Sequence, residues 1–258
     1  MRQLLSGGAN PNARQINGQT PLMVASRVGK KSIVEALLNS GANVNDAEKT
    51  KKHTALMVAV AGQHEDVAKL LIEHGADVGA KSINSFTPLL FAAQQGNIEL
   101  GRLLLEFGAD VNESAPDGIS GNTNARYRLI PDTSASALLV AIDSGHEEMA
   151  IFLLEKGANP TLNGAGRTAL HSAVQHEMHD LAKTLLAHGA DPNAKLTRNM
   201  PVFSRVILID NGLAVNKLGA TPFFLAAGFN DIRMMAVSYT HLRAHETRHD
   251  LVCRLLLE

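Results

Sequence analysis

A glycine followed by Ala or Leu, just beyond a pair of large apolar residues, returns at Gly8, Gly41, Gly75, Gly108, Gly157, Gly189 and Gly212. The steps are 33, 34, 33, 49, 32 and 23 residues. A second mark, Thr or Ser, then Pro or Ala, then Leu, with Ala five residues after the first position, begins at Thr20, Thr54, Thr87, Ser136 and Thr168. Each of these stands 21 residues before one of the glycines. Two landmarks in fixed register restrict the chain to a linear array of similar units, each burying its apolar face against the next.

Each landmark has a physical task. Thr or Ser caps a helix by accepting a backbone N–H, and Pro in the first turn gives up a donor that has no intrahelical partner. An inner helix therefore starts at each mark. The alanines Ala25, Ala59, Ala92, Ala141 and Ala173 let neighbouring inner helices approach closely, while the Leu beside each cap fills the seam. Glycines such as Gly29, Gly96 and Gly145 permit a turn into a second, outer helix, whose apolar residues recur at helical spacing: Val67, Leu71 and Ile72, or Leu100, Leu104 and Leu105. The glycine ending that helix suits a left-handed C-terminal residue, and the Asn/Asp-rich segment after it predicts a protruding hairpin-like loop.

This pattern, Thr-Pro-Leu-x-x-Ala, a glycine hinge, then Leu-Leu-x-x-Gly-Ala, resembles the ankyrin repeat. The resemblance implies an all-α fold: an ankyrin-repeat solenoid of stacked helix-turn-helix pairs with protruding hairpin-like loops. It covers residues 1–235 as about seven full or partial repeats. Two irregularities stand out. A long loop insertion occupies 113–135, and a shortened repeat, expected to hold one short helix, occupies 190–212 before Thr221-Pro222-Phe223 restarts the pattern.

The resemblance also implies a function: a protein–protein interaction scaffold binding a macromolecular partner through its loop tips and concave inner-helix face. Carried over position by position, the contact residues include Arg27, Lys51, His53, Phe86, Gln94, Gln95, Asp143, Arg167 and His176. Phe86 is expected to be an exposed aromatic at a loop tip. Arg27, Lys51, His53, Arg167 and His176 make this side mildly basic, which favours an acidic protein surface. The insertion reads either as a surface loop tolerated because added length costs little, or as a second contact with Tyr127 as anchor beside Arg126 and Arg128, because Tyr and Arg dominate interface hot spots. The alternative reading is a regulatory or targeting repeat module of a larger enzyme or membrane protein.

Other chemistry finds no support. The formal net charge of −1 supplies no global basic field, and no basic stripe with interleaved aromatics points to nucleic acid. The only cysteine is Cys253, so no disulfide framework or cysteine-based zinc site is expected. His176-Glu177-Met178-His179 is one residue short of a metalloprotease His-Glu-x-x-His, and His171 sits where the repeat carries a structural histidine. No nucleophile elbow, phosphate loop or membrane-spanning run occurs, so neither catalysis nor a cofactor is expected. The chain is expected to be a monomer.

Residues 236–258 abandon the repeat in mid-pair. Read back into codons, Val237 onward resembles the transposon-end adapter of short-read DNA libraries, so this tail is expected to be non-native. On that reading the chain is a fragment, and Met1–Gly8 is the tail of an earlier outer helix.

Overall fold

The computed structural model describes residues 2–114, 135–163, 166–197, 209–210, 213–214, 218–228 and 231–237. The chain divides into two compact units, Met1–Gly121 and Asn122–Glu258. In the first, the short helix α1 (Arg2–Ser6) precedes three helix pairs: α2 (Pro21–Val28) with α3 (Lys31–Asn39), α4 (Ala55–Ala61) with α5 (Glu65–Glu73), and α6 (Pro88–Gln95) with α7 (Ile98–Glu106). The inner helices pack α2 on α4 on α6, and the outer ones α3 on α5 on α7. In the second unit, α8 (Ala137–Asp143) pairs with α9 (Glu147–Glu155) and α10 (Ala169–Gln175) with α11 (His179–Ala187). Each unit is a stack of helix-turn-helix pairs, as the repeat implies.

The caps are where the sequence puts them. Thr20, Thr54, Thr87 and Ser136 each accept the backbone N–H three residues on, at 3.3 Å. Thr168 instead forms a capping box with His171, whose Nδ1 accepts the Thr168 backbone N–H at 3.2 Å. The seam alanines Ala59, Ala92, Ala141 and Ala173 are all fully buried, beside Leu71, Leu89, Leu153 and Leu170. Small residues on the inner helices and Leu on both rows make the core of each unit.

Two left-handed backbone positions recur. The first, nine residues after each cap, joins the two helices of a pair: Gly29, Gln63, Gly96, Gly145 and Glu177 have φ of 72°, 57°, 67°, 84° and 58°. The second ends the outer helix, where Gly41, Gly75, Gly108, Gly157 and Gly189 have φ between 84° and 93°. That lies beyond the left-handed basin open to L-residues, so this register is glycine every time. At the first register φ varies with the residue: Gln63 and Glu177, at 57° and 58°, fall inside the basin, where side chains are tolerated at a cost. Glu177→Gly is therefore expected to stabilise the second unit by about 0.5–1 kcal/mol, read as a raised urea midpoint.

The shortened repeat expected at 190–212, with its short helix, lies mostly outside the described residues. Beyond it α12 (Pro222–Gly228) packs on α10. The segment between α11 and α12 contains an antiparallel pair of two-residue strands, β1 (Ile209–Asp210) and β2 (Leu213–Ala214), in the register Ile209 to Ala214. Its base is closed by backbone bonds from Leu196 N–H to Ala220 O (2.9 Å) and from Gly219 N–H to Leu196 O (2.8 Å). A helical stretch at 232–237 follows α12, and residues 238–258 lie outside the described residues.

Candidate partner-binding face

The family's contact positions occupy two registers: the seventh residue after one cap, and the residue just before the next. Three such pairs show three different solutions. In the second unit the pair is Asp143 and Arg167. They form an ion pair with side chains only 9% and 2% exposed, and Arg167 Nε donates to Ser172 Oγ at 3.1 Å. Both were expected at the partner surface, and both are instead spent on each other inside the seam. The second pair, Ala61 and Phe86, is a small residue and a large one. Phe86 is only 5% exposed, its ring meeting Phe91 edge-on at 5.3 Å, so it is a core residue rather than an exposed anchor.

The remaining pair, Arg27 and His53, consists of two groups that can both carry positive charge. They line one groove of about 250 Å³ with Met57, Val58, Ala61, Gly62 and Phe91. His53 stacks edge-on against Phe91 at 5.5 Å and is half-buried, while Arg27 and Lys51 are exposed. Burial, with the positive charges of Lys51 and Arg27 added, holds the His53 imidazole below its ordinary pKa despite the opposing pull of Glu48. Among the described residues, no ion pair involves Arg27 or Lys51.

Glu48 builds this corner, and the sequence reading missed it. Its carboxylate is 6% exposed and accepts backbone N–H groups from Thr50 (2.8 Å), Lys51 (2.5 Å) and His53 (3.5 Å), together with the Thr50 hydroxyl. The hairpin that presents Lys51 and His53 is therefore wrapped around one buried anion. Burial pushes this carboxyl up, but the bonds from Thr50, Lys51 and His53 outweigh it and the net pKa is lowered. Glu48→Ala is expected to cost the first unit about 1–3 kcal/mol, because three N–H donors lose their acceptor. Because the folded value lies below the ordinary one, the stabilisation is full above pH 4.5 and is lost as pH falls through the lowered value. Urea midpoints of wild type and variant should therefore converge in acid.

Charge is segregated across the first unit. Its hairpins and inner helices (14–28, 47–63 and 80–96) carry a formal charge of +5, while its outer helices and turns (29–46, 64–79 and 97–113) carry −6. The near-zero net charge of the whole chain conceals this. The exposed apolar residues Ile16, Val28 and Ile83 extend the same hairpin and inner-helix side. Hairpins are stitched together there, with Lys49 N–H donating to Asn17 O at 3.0 Å and Ile83 N–H to Lys51 O at 2.8 Å.

Of the other expected contact residues, Gln94, Gln95 and His176 are half-buried at the ends of α6 and α10, and Gln95 Oε1 accepts from Gln63 Nε2 at 3.3 Å. Arg126, Tyr127 and Arg128 lie outside the described residues. His171 has the structural role expected of it: wholly buried, with Nε2 3.2 Å from Ala220 O and Nδ1 on the Thr168 cap. Among the described residues no cluster of three His, Cys, Asp or Glu could hold a metal, and no helix is long and apolar enough to cross a membrane.

Comparison with known proteins agrees with this architecture. The family described as Ankyrin repeats (3 copies) matches residues 1–82, 46–115, 79–164 and 119–195. Human Rabankyrin-5 is 31% identical over 110 residues, which are 42% of this chain and 9% of that protein. The mouse 2-5A-dependent ribonuclease is 33% identical over 115 residues, 44% of this chain and 13% of that one. The chain thus spans a small part of the length of these relatives. Among solved structures, the human ASB11 ankyrin repeat domain is similar in fold, with a TM-score of 0.62 at 24% identity, covering 86% of this chain and 84% of that one.

Proposed function

Because the chain belongs to the ankyrin-repeat family, whose members generally mediate protein–protein interaction, we propose that it binds a partner protein through the hairpins and inner-helix ends of its first unit. The observation that carries this reading is the contrast between the register pairs. Asp143 with Arg167 is closed within the fold and Phe86 is buried, whereas Arg27 and Lys51 present charge, and His53 a half-buried imidazole, beside an open, aromatic-floored groove. Groups of this kind contribute to binding only when a partner desolvates and pairs them.

The test is steric. Ala61 lies exposed in the groove, so Ala61→Arg fills it without touching the core. Affinity capture from the source cells is expected to lose its specific partner with Ala61→Arg and to keep it with Lys69→Glu on the outer helix α5. Retention by the first and loss by the second would overturn the reading.

Two finer assignments belong with it. The insertion at 113–135, with Arg126, Tyr127 and Arg128, is a second contact; deletion of 117–131 should weaken the same partner, and unchanged affinity would remove the insertion from the interface. The chain itself performs no catalysis and takes no cofactor. Its small share of Rabankyrin-5 and the ribonuclease favours the further view that it is a regulatory or targeting module within a longer polypeptide. The tail from Val237 is adapter-derived and takes no part; long-read resequencing across the Ala236 codon should show the repeat continuing, and a genome encoding Val237–Glu258 would refute this.

A further inference from the structure

The Asp143–Arg167 pair shows what the two facing registers do when they complete each other: a carboxylate from the end of one inner helix meets a cation at the base of the next hairpin. In the first unit the same step pairs Arg27 with His53, so a cation stands where the carboxylate would be. Among the described residues no ion pair supplies an anion for it. Asp46 is held by Arg14 at 2.6 Å, and the oxygens of Glu48 are directed at backbone N–H groups. The other acidic residues from Glu35 to Glu113 belong to the negatively charged outer segments; Asp117 lies outside the described residues.

We propose that this seam receives a carboxylate from an acidic segment of the partner protein, with an adjacent apolar side chain of that segment resting on the Phe91 ring. The proposal rests on the partner-binding reading above and specifies the chemistry of what binds. Three features support an acidic occupant over an apolar or basic one. The groove is bordered by Arg27 and His53, with exposed Lys51 two residues from His53, and its floor is Phe91 with Met57 and Val58. The surrounding hairpins and inner helices carry +5 while the opposite side carries −6, a distribution that attracts and orients an acidic segment. The His53 imidazole is held low chiefly by burial, with Lys51 and Arg27 lowering it further against the pull of Glu48, so an incoming carboxylate would meet two cations beside it.

The experiment uses the full chain and a short fluorescein-labelled peptide of glutamates around a central leucine, followed by fluorescence anisotropy. The same peptide with glutamine in place of glutamate is the comparator. The acidic peptide should bind about tenfold tighter or more, with affinity falling as salt is added. Arg27→Asp, which supplies the missing carboxylate from within the fold, should weaken it about tenfold or more, and Lys69→Glu on α5 about twofold or less. Equal binding of the two peptides overturns the proposal, as does equal weakening by the two variants, or a single-stranded oligonucleotide binding as tightly as the acidic peptide. The outcome separates this proposal from the broader one. If Arg27→Asp keeps the natural partner while Ala61→Arg loses it, the face stands and the acidic occupant falls; if both keep the partner, the face itself is wrong.

Discussion

Arg167→Ala is expected to destabilise the second unit by about 3–5 kcal/mol, because it leaves the Asp143 carboxylate almost wholly buried with no cation beside it. Ser172 Oγ loses its donor in the same step. Asp143→Ala should cost a similar amount, since an isolated guanidinium inside the seam is no better tolerated. The contrast with joint replacement is diagnostic. Changing Arg167 to Met and Asp143 to Leu together removes both charges and keeps most of the volume, and should recover most of the loss. Amide exchange of peptides from 135–197 reads this locally. Exposed partner-contact residues would behave differently, each single change leaving exchange nearly unaltered.

The second large effect is one of pH. Burial holds the His171 imidazole down at about 4, against an ordinary value of 6.5. The unfolded chain therefore takes up a proton in a range where the folded one refuses it. Stability from this source is complete above pH 6.5 and declines as pH falls toward 4, by about 3 kcal/mol in all, at 1.36 kcal/mol for each unit of difference. The loss falls on the second unit, where His171 links the Thr168 cap to Ala220. Urea midpoints followed from neutral pH downward should show it, and His171→Gln should have a flatter profile across that window. Glu48 acts in the first unit and only below pH 4.5, so local exchange separates the two transitions.

The fold was legible because its determinants are local. A Thr cap, a seam Ala and a glycine with φ near 90° are each dictated by atoms within a few residues, and they recur. What the sequence hid depends on packing, much of it between residues about 25 positions apart. Phe86 looks like an exposed loop-tip aromatic until its ring is found buried against Phe91, and Arg167 looks like surface charge until Asp143 is found facing it. The bonds joining Leu196 to Ala220 and Gly219, and the packing of α12 on α10, likewise join residues far apart in sequence. For Glu48 the only trace is one extra residue between Gly41 and Thr54, compared with the spans from Gly8 to Thr20 and from Gly75 to Thr87. Of the proposed binding face, Arg27, Lys51 and His53 stand at positions that the repeat pattern marks. Phe91 as its floor and Glu48 as its support came only from the packing.

The central claim is that a partner occupies the hairpin and inner-helix side of the first unit. It is tested most directly by placing a photo-crosslinking benzoylphenylalanine at Ala61 in one sample and at Lys69 in another, and irradiating each full-length protein in an extract of its source cells. The account predicts a discrete crosslinked partner from position 61, with its attachment site beside acidic residues, and none from position 69. A partner captured from Lys69 on the outer helix and not from Ala61 would contradict it.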